Sequence, residues 1–290
     1  MAARPRRGYR EPVRVVELSD HPGDLLRAAR QRRTAGRGPE RRRFEAALAR
    51  HEERVAAARR ARDTARAQHR WGAWLRSVLA VRRARRQAPA APPPAGGPVS
   101  GREATLAAGV EGERLAAAGL GRALGDEWTL LRGYRNRRGE IDLVLVGPRG
   151  LFAIEVKYYN GTVSCDGDRW WVDRYDRSGR RVAREAMEDT RGRSPSTQLT
   201  DPARLLEQFL HSRGHHVPVQ RIVLLTHASA RFGRCARPTV GLAASVPEVL
   251  ALLRASPADL PDAEVARLAD RVRRDHEHYQ ARRPSARRRP

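Results

Sequence analysis

Gly139-Glu140-Ile141-Asp142-Leu143-Val144-Leu145-Val146-Gly147-Pro148-Arg149-Gly150-Leu151-Phe152-Ala153-Ile154-Glu155-Val156-Lys157 is the stretch on which the fold turns. Two nearly unbroken apolar runs, Ile141 to Val146 and Leu151 to Val156, have the composition of strands covered on both faces. The short break Gly147-Pro148-Arg149-Gly150 predicts an antiparallel hairpin. With an unbulged loop, Val146 faces Leu151 and Asp142 faces Glu155. Directly opposed residues carry β-carbons roughly 4.5–5.5 Å apart on one face. Two carboxylates so placed repel unless a cation sits between them, and Lys157, two residues beyond Glu155, shares their face. A second register stays open. Pro148 cannot take the positive φ of a type I′ turn, and a three-residue loop with Gly150 as a bulge would shift the pairing by one and split the carboxylates between faces.

Outward from the hairpin the pattern is α/β. A helix is expected over Glu103 to Leu124, carrying Glu111 and Glu113, and a strand over Trp128 to Leu131. After the hairpin come short strands at Thr162 to Cys165 and Trp170 to Val172 and a helix over Pro202 to Leu210. A buried strand at Val219 to Thr226, an edge strand at Thr239 to Leu242 and a helix over Pro247 to Leu253 follow. This order predicts a sandwich of helices and sheet. A basic helix, about Asp262 to Tyr279, leads into an arginine tail.

The charge is uneven. Residues 1–100 hold 25 arginines against 9 acids, a balance of +16, whereas 101–250 balance at +5 and 251–290 at +4. Residues 1–37 mix arginine, proline and glycine without period and read as a disordered basic segment. Residues 38–87 favour a basic helical arm whose apolar stripe (Phe44, Leu48, Val55, Trp71, Trp74, Leu75, Val78, Leu79) is thin. Residues 88–101 form a Pro/Gly-rich linker, 102–254 the α/β domain, and 255–290 the C-terminal helix and tail. The arm's basicity suits a polyanionic partner. The same excess of arginine, alanine, glycine and proline is the bacterial-like composition that a GC-rich genome imposes. Trp71 to Val81 is about half the length of a spanning helix and is interrupted by Arg76, so no stable membrane insertion is expected. Cys165 and Cys235 have no finger or redox spacing, so neither a disulfide framework nor structural zinc is implied, and a cytoplasmic location is expected.

Of 58 basic residues only Lys157 is lysine. An ammonium is a compact donor whose pKa burial can lower, which a guanidinium cannot replace beside an attacking water. Oxygen-only ligands at Asp142 and Glu155 suit Mg²⁺ or Mn²⁺ over zinc. The plainer reading of Asp142 and Lys157 is a structural ion pair. His211, His215 and His216 have helical spacing but no acid or cysteine near them in sequence. His276 and His278 read as solvated, Asp166 and Asp168 as turn residues. Trp170 and Trp171, beside Tyr175, are expected to divide between core and surface.

Together, Glu111-Gly112-Glu113-Arg114, the stretch Gly139 to Gly161, and Ser194-Pro195-Ser196-Thr197-Gln198 at a helix start resemble the nuclease-related domain (NERD) of the PD-(D/E)xK nuclease superfamily. The resemblance covers about Ala104 to Arg254. The superfamily's proline before the aspartate is Ile141 here. It implies a restriction-endonuclease-like mixed sheet flanked by helices, behind the basic helical and disordered arm. It further implies that Asp142, Glu155 and the carbonyl of Val156 bind Mg²⁺ or Mn²⁺. Lys157 would orient or deprotonate water, Glu113 (Glu111 less so) would hold an outer water or second metal, and Gln198 would contact phosphate or the lysine. The function implied is hydrolysis of phosphodiester bonds, with DNA as the expected nucleic-acid substrate. The alternative is a non-catalytic DNA-binding or adaptor protein on a nuclease-like fold, and a third reading makes the arm a membrane-surface anchor through Trp71 and Trp74.

Overall fold

The computed structural model describes residues 12–35, 38–89 and 99–282. In chain order the elements are β1 (Arg14–Glu17), α1 (His21–Ala35), α2 (Gly38–Ala67), α3 (Trp71–Arg86), α4 (Gly101–Ala123), β2 (Thr129–Asn136), β3 (Gly139–Gly147) and β4 (Gly150–Lys157). There follow β5 (Thr162–Asp166), β6 (Arg169–Tyr175), β7 (Arg181–Ala186), α5 (Pro195–His211), β8 (Val219–Leu225), β9 (Arg231–Ala236), β10 (Gly241–Ala243), α6 (Val246–Ala255) and α7 (Asp262–Arg282). The described residues of Met1–Asp24 and Thr105–Pro290 form one compact unit, and those of Leu25–Ala104 another.

The first unit is built on a mixed six-stranded sheet, β1-β2-β3-β4-β8-β10, beside a four-stranded sheet, β7-β6-β5-β9. β3 and β4 are the expected antiparallel hairpin, with Val146 opposite Leu151 and Gly147 opposite Gly150. Only two residues, Pro148 and Arg149, make the loop. The positive φ that proline refuses falls on Gly150, at +112°, so the register is the unshifted one. Side chains then alternate between two cores. Val144, Val146, Leu151 and Ala153 pack with Leu199, Leu206 and Leu210 of α5 and Val265, Leu268 and Val272 of α7. Leu143, Leu145, Phe152 and Ile154 pack with Ala116 and Leu120 of α4 and Val249 and Leu253 of α6. Each such large side chain contributes about 1.5–3 kcal/mol by leaving water, and truncating one, as in Leu151→Ala, costs about 2–5 kcal/mol.

Several expectations are corrected. Residues 12–35 are not disordered: β1 pairs in parallel with β2, Val15 opposite Leu130, and α1 follows. A short Val-rich run, Val13 to Val16, outweighs the arginine-rich average of its surroundings once a sheet edge is available. Residues 1–11 and 36–37 lie outside the described residues, as do 90–98, most of the expected linker. The arm is two helices, not one, and the break falls at 68–70, where His69 has φ +51°. The C-terminal helix is not an appendage. α7 is buried along Val265, Leu268 and Val272, and the hydroxyl of Tyr134 donates to Asp275. Nδ1 of His276, which is buried and not solvated, accepts from the Arg135 amide at 3.0 Å, and burial lowers its pKa. His278 is exposed. β7 and β9 have no signature in the sequence, because both are largely exposed and offer no apolar alternation.

In the second unit α2 and α3 pack together as a helical hairpin, with Ala65 and Val81 buried. Trp71, Leu75 and Leu79 stay exposed along α3. Among the described residues no helix is long and apolar enough to cross a membrane.

Candidate active site

The site gathers at the carboxyl end of β4, between helix layers. Lys157 Nζ donates to Glu155 Oε1 at 2.7 Å and to Gln198 Oε1 at 3.0 Å. Gln198 Nε2 donates in turn to the Arg193 carbonyl at 2.7 Å, which fixes the amide's orientation. The β3–β4 ladder ends at Leu143 opposite Ile154; one step on, Asp142 bends to accept the Val156 amide at Oδ2, 2.7 Å. Gln198 is placed by the start of α5, where Ser194 caps the helix and Pro195 opens it. Ser196 Oγ donates to Asp168 Oδ1 at 2.6 Å and accepts from Trp170 Nε1 at 3.0 Å, while Thr239 Oγ1 donates to the same Asp168 oxygen at 2.6 Å. Asp168 lies in the β5–β6 turn, as expected, and from there ties down the start of α5; these two hydroxyls hold its pKa below the ordinary value.

Glu113 arrives from the opposite layer, on α4. The helix comes close because of Gly112: a β-carbon there would stand 2.9 Å from Tyr158 Cβ and 3.0 Å from Thr226 Oγ1. Burial first, then the charge of Glu140, with Glu155 and Asp20 adding and Arg132 opposing, pushes the Glu113 pKa up to about 7. Asp142 is raised well above its usual range by burial and then by Glu155 and Glu113, against the pull of Lys157 and the Val156 amide. For Lys157 burial lowers the pKa, but Glu155 and Asp142 outweigh it, and the net shift is upward. The two carboxylates therefore favour the charged ammonium. Glu111 lies outside the group: it is bound by Arg114 through contacts of 2.7 and 2.8 Å. Glu140 and Asp20 have no signal in the sequence, since one reads only as a flank of the motif and the other sits in a segment expected to be disordered.

Glu113 and Asp142, each with its pKa raised in part by the charge of Glu155, make a site whose only ligand type is oxygen, and that suits a hard divalent cation. Asp142, Glu155 and the Val156 carbonyl would hold it, with Glu113 behind. The side chains are turned to protein partners, and among the described residues no three acidic, histidine or cysteine side chains stand grouped as a metal-holding set.

This arrangement can be set against known proteins. Residues 108–226 match the nuclease-related domain family. No curated protein and no solved structure matches the chain. The nuclease-related segment runs from within α4 to the residue after β8, so it contains Glu113, Asp142, Glu155, Lys157 and Gln198 and excludes α2, α3, α6 and α7.

Other candidates fall outside the site. Within the nuclease-related segment, His211 and His216 contact each other through Nδ1 atoms at 3.0 Å, and His215 meets Glu264 at 2.7 Å, an acid that α7 supplies from 49 residues away. Trp170 is buried, whereas Trp171 is partly exposed with the Arg184 guanidinium 5.3 Å over its ring. Asp166 is tied to Arg169 and Arg237. A cleft of about 600 Å³ lined by Arg14, Val16, Glu127, Asp270 and Arg273 lies elsewhere, against α7.

Proposed function

We propose that the chain is a divalent-metal-dependent nuclease of PD-(D/E)xK type that hydrolyses phosphodiester bonds in DNA. The observation that carries this reading is the convergence of Asp142, Glu155, Lys157 and Gln198 at one strand end, with Glu113 facing them from α4. Bound Mg²⁺ or Mn²⁺ supplies Lewis acidity toward a phosphoryl oxygen and lowers the pKa of water. Asp142 and Glu155 would bind it as carboxylates. Lys157, kept protonated, places a compact positive charge where negative charge develops on phosphate, and Gln198 holds the ammonium in place from the Arg193 carbonyl. Near this end the turn between β2 and β3 exposes Arg137 and Arg138, and Arg193 Nη1 reaches the Arg138 carbonyl at 3.5 Å. These guanidinium groups suit the phosphate backbone.

The test is cleavage of single-stranded, duplex and branched DNA and of RNA, with Mg²⁺, with Mn²⁺ and with excess chelator, using Asp142→Ala as the control. Metal-dependent cleavage lost in the variant is expected. Binding without cleavage by the intact chain under every condition would leave the non-catalytic adaptor reading in its place.

A further inference from the structure

Cys165 and Cys235, the only cysteines of the chain, are brought together by the smaller sheet. β5 and β9 run parallel, and they start in a register that pairs Thr162 with Arg231 and Val163 with Phe232. That register, continued, would set Cys165 against Arg234. The pairing slips by one residue between Val163 and Cys165, and beyond the slip Cys165 stands directly opposite Cys235 and Asp166 opposite Ala236. The slip has its own sequence requirement at Gly233, where a β-carbon would lie 2.7 Å from Ser164 Oγ and 2.8 Å from Thr162 Cγ2. Neighbouring strands lie roughly 4.7–4.9 Å apart, inside the α-carbon range of about 4.4–6.8 Å that a disulfide spans. Both side chains face the same core, Cys165 within it and Cys235 packed against its edge.

We infer that Cys165 and Cys235 are a redox-active dithiol that closes to an intramolecular disulfide between β5 and β9. The two sulfurs have different parts. Cys165 is 1% exposed, and burial, then the neighbouring Cys235 thiol, pushes its thiol up to about 12. Cys235 is half-buried and is the sulfur an oxidant can reach. With a small disulfide as oxidant, the Cys235 thiolate attacks one of its sulfurs and expels one small thiolate. The Cys165 sulfur, giving up its proton, then displaces the second. The products are one protein disulfide and two small thiols, two electrons having passed from the protein to the oxidant. The closed ring encloses residues 166–234, and so α5 with Gln198 and strand β8. This inference does not rest on the nuclease reading.

The full-length protein is incubated with oxidised glutathione, and its thiols, intact mass and thermal midpoint are measured before and after a phosphine reductant. Expected are two titratable thiols falling to none, a monomer lighter by two hydrogens, and a midpoint raised by several degrees that returns on reduction. Cys235→Ala should abolish closure. Two persisting thiols, a stable glutathione adduct on the intact chain, or a covalent dimer as the product would each overturn the inference.

Discussion

In the sheet unit, Asp142, Glu155, Lys157 and Gln198 hold one another or the backbone through bonds of 2.7–3.0 Å and are shielded by two helix layers. In the α2–α3 hairpin the charges stand in solvent, and their ion pairs, such as Arg41 with Glu45 and Arg62 with Asp63, join exposed side chains. Exposed pairs contribute little, about 0–1 kcal/mol each. Position matters for the first group and only number and sign for the second. A substitution that keeps charge but changes shape should therefore be severe at the strand end and silent in the arm.

Lys157→Arg is the sharpest break of that comparison. It keeps the positive charge, but the wide guanidinium cannot occupy the ammonium's place between Glu155 and Gln198. Cleavage should fall by at least about 100-fold, of the order seen when one donor to a developing oxyanion is removed, while DNA affinity changes by less than about two-fold. Single-turnover cleavage and filter binding check the two halves, and a variant that still cleaves would place Lys157 among the interchangeable charges.

Glu113 gives the next effect, on stability. Its pKa is raised in the folded state, to about 7, above the ordinary carboxylate value. Below both values the acid is neutral, folded or not, and contributes nothing; as pH rises toward 7 the unfolded chain ionises first, and stability declines. Glu113→Gln should stabilise the protein at pH 8 by about 1–3 kcal/mol and leave it unchanged at pH 4. Denaturant titrations at the two pH values decide it. Equal effects at both would mean that Glu113 is not ionised against its neighbours.

The same contrast explains what can be read in the sequence. The hairpin is legible because both of its faces are buried, so its apolar runs and Lys157 stand out against an arginine-rich chain. Glu113 and Gln198 are reached through family resemblance, since a glutamate on a helix and a glutamine near a helix start carry no signal of their own. The slip that pairs Cys165 with Cys235 is invisible in the sequence, because it depends on Gly233 in an exposed strand. α7 reads as an independent basic helix; its Val265, Leu268 and Val272 spacing is real, but nothing local names the strands that cover it. Asp20 and β1 are hidden by the composition around them.

Arginines of the arm should act by number. Arg59, Arg60, Arg82 and Arg83 are exposed on α2 and α3. Replacing them with glutamine leaves β1 in place, which a truncation of the whole N-terminal hundred residues would not. If they meet DNA phosphates, the slope of log affinity against log salt should shrink by up to about 0.9 for each phosphate no longer neutralised, with single-turnover cleavage at saturating DNA unchanged. An unaltered slope would make the arm a bystander to DNA.

The smallest effect is expected at the apolar face of α3. Trp71, Leu75 and Leu79 recur at a four-residue spacing and are 58–64% exposed, so replacing Leu75 and Leu79 with serine removes little buried surface. Folding stability should change by less than about 0.5 kcal/mol, as for surface sites that touch nothing, and DNA affinity should not change. Pelleting with anionic vesicles separates two consequences. Loss of vesicle binding in the double variant would give this face a lipid partner and the arginines around it a second polyanion. A stability decrease well above that figure would instead show that the leucines are covered in solution, and would make the arm, like the strand end, a place where position decides.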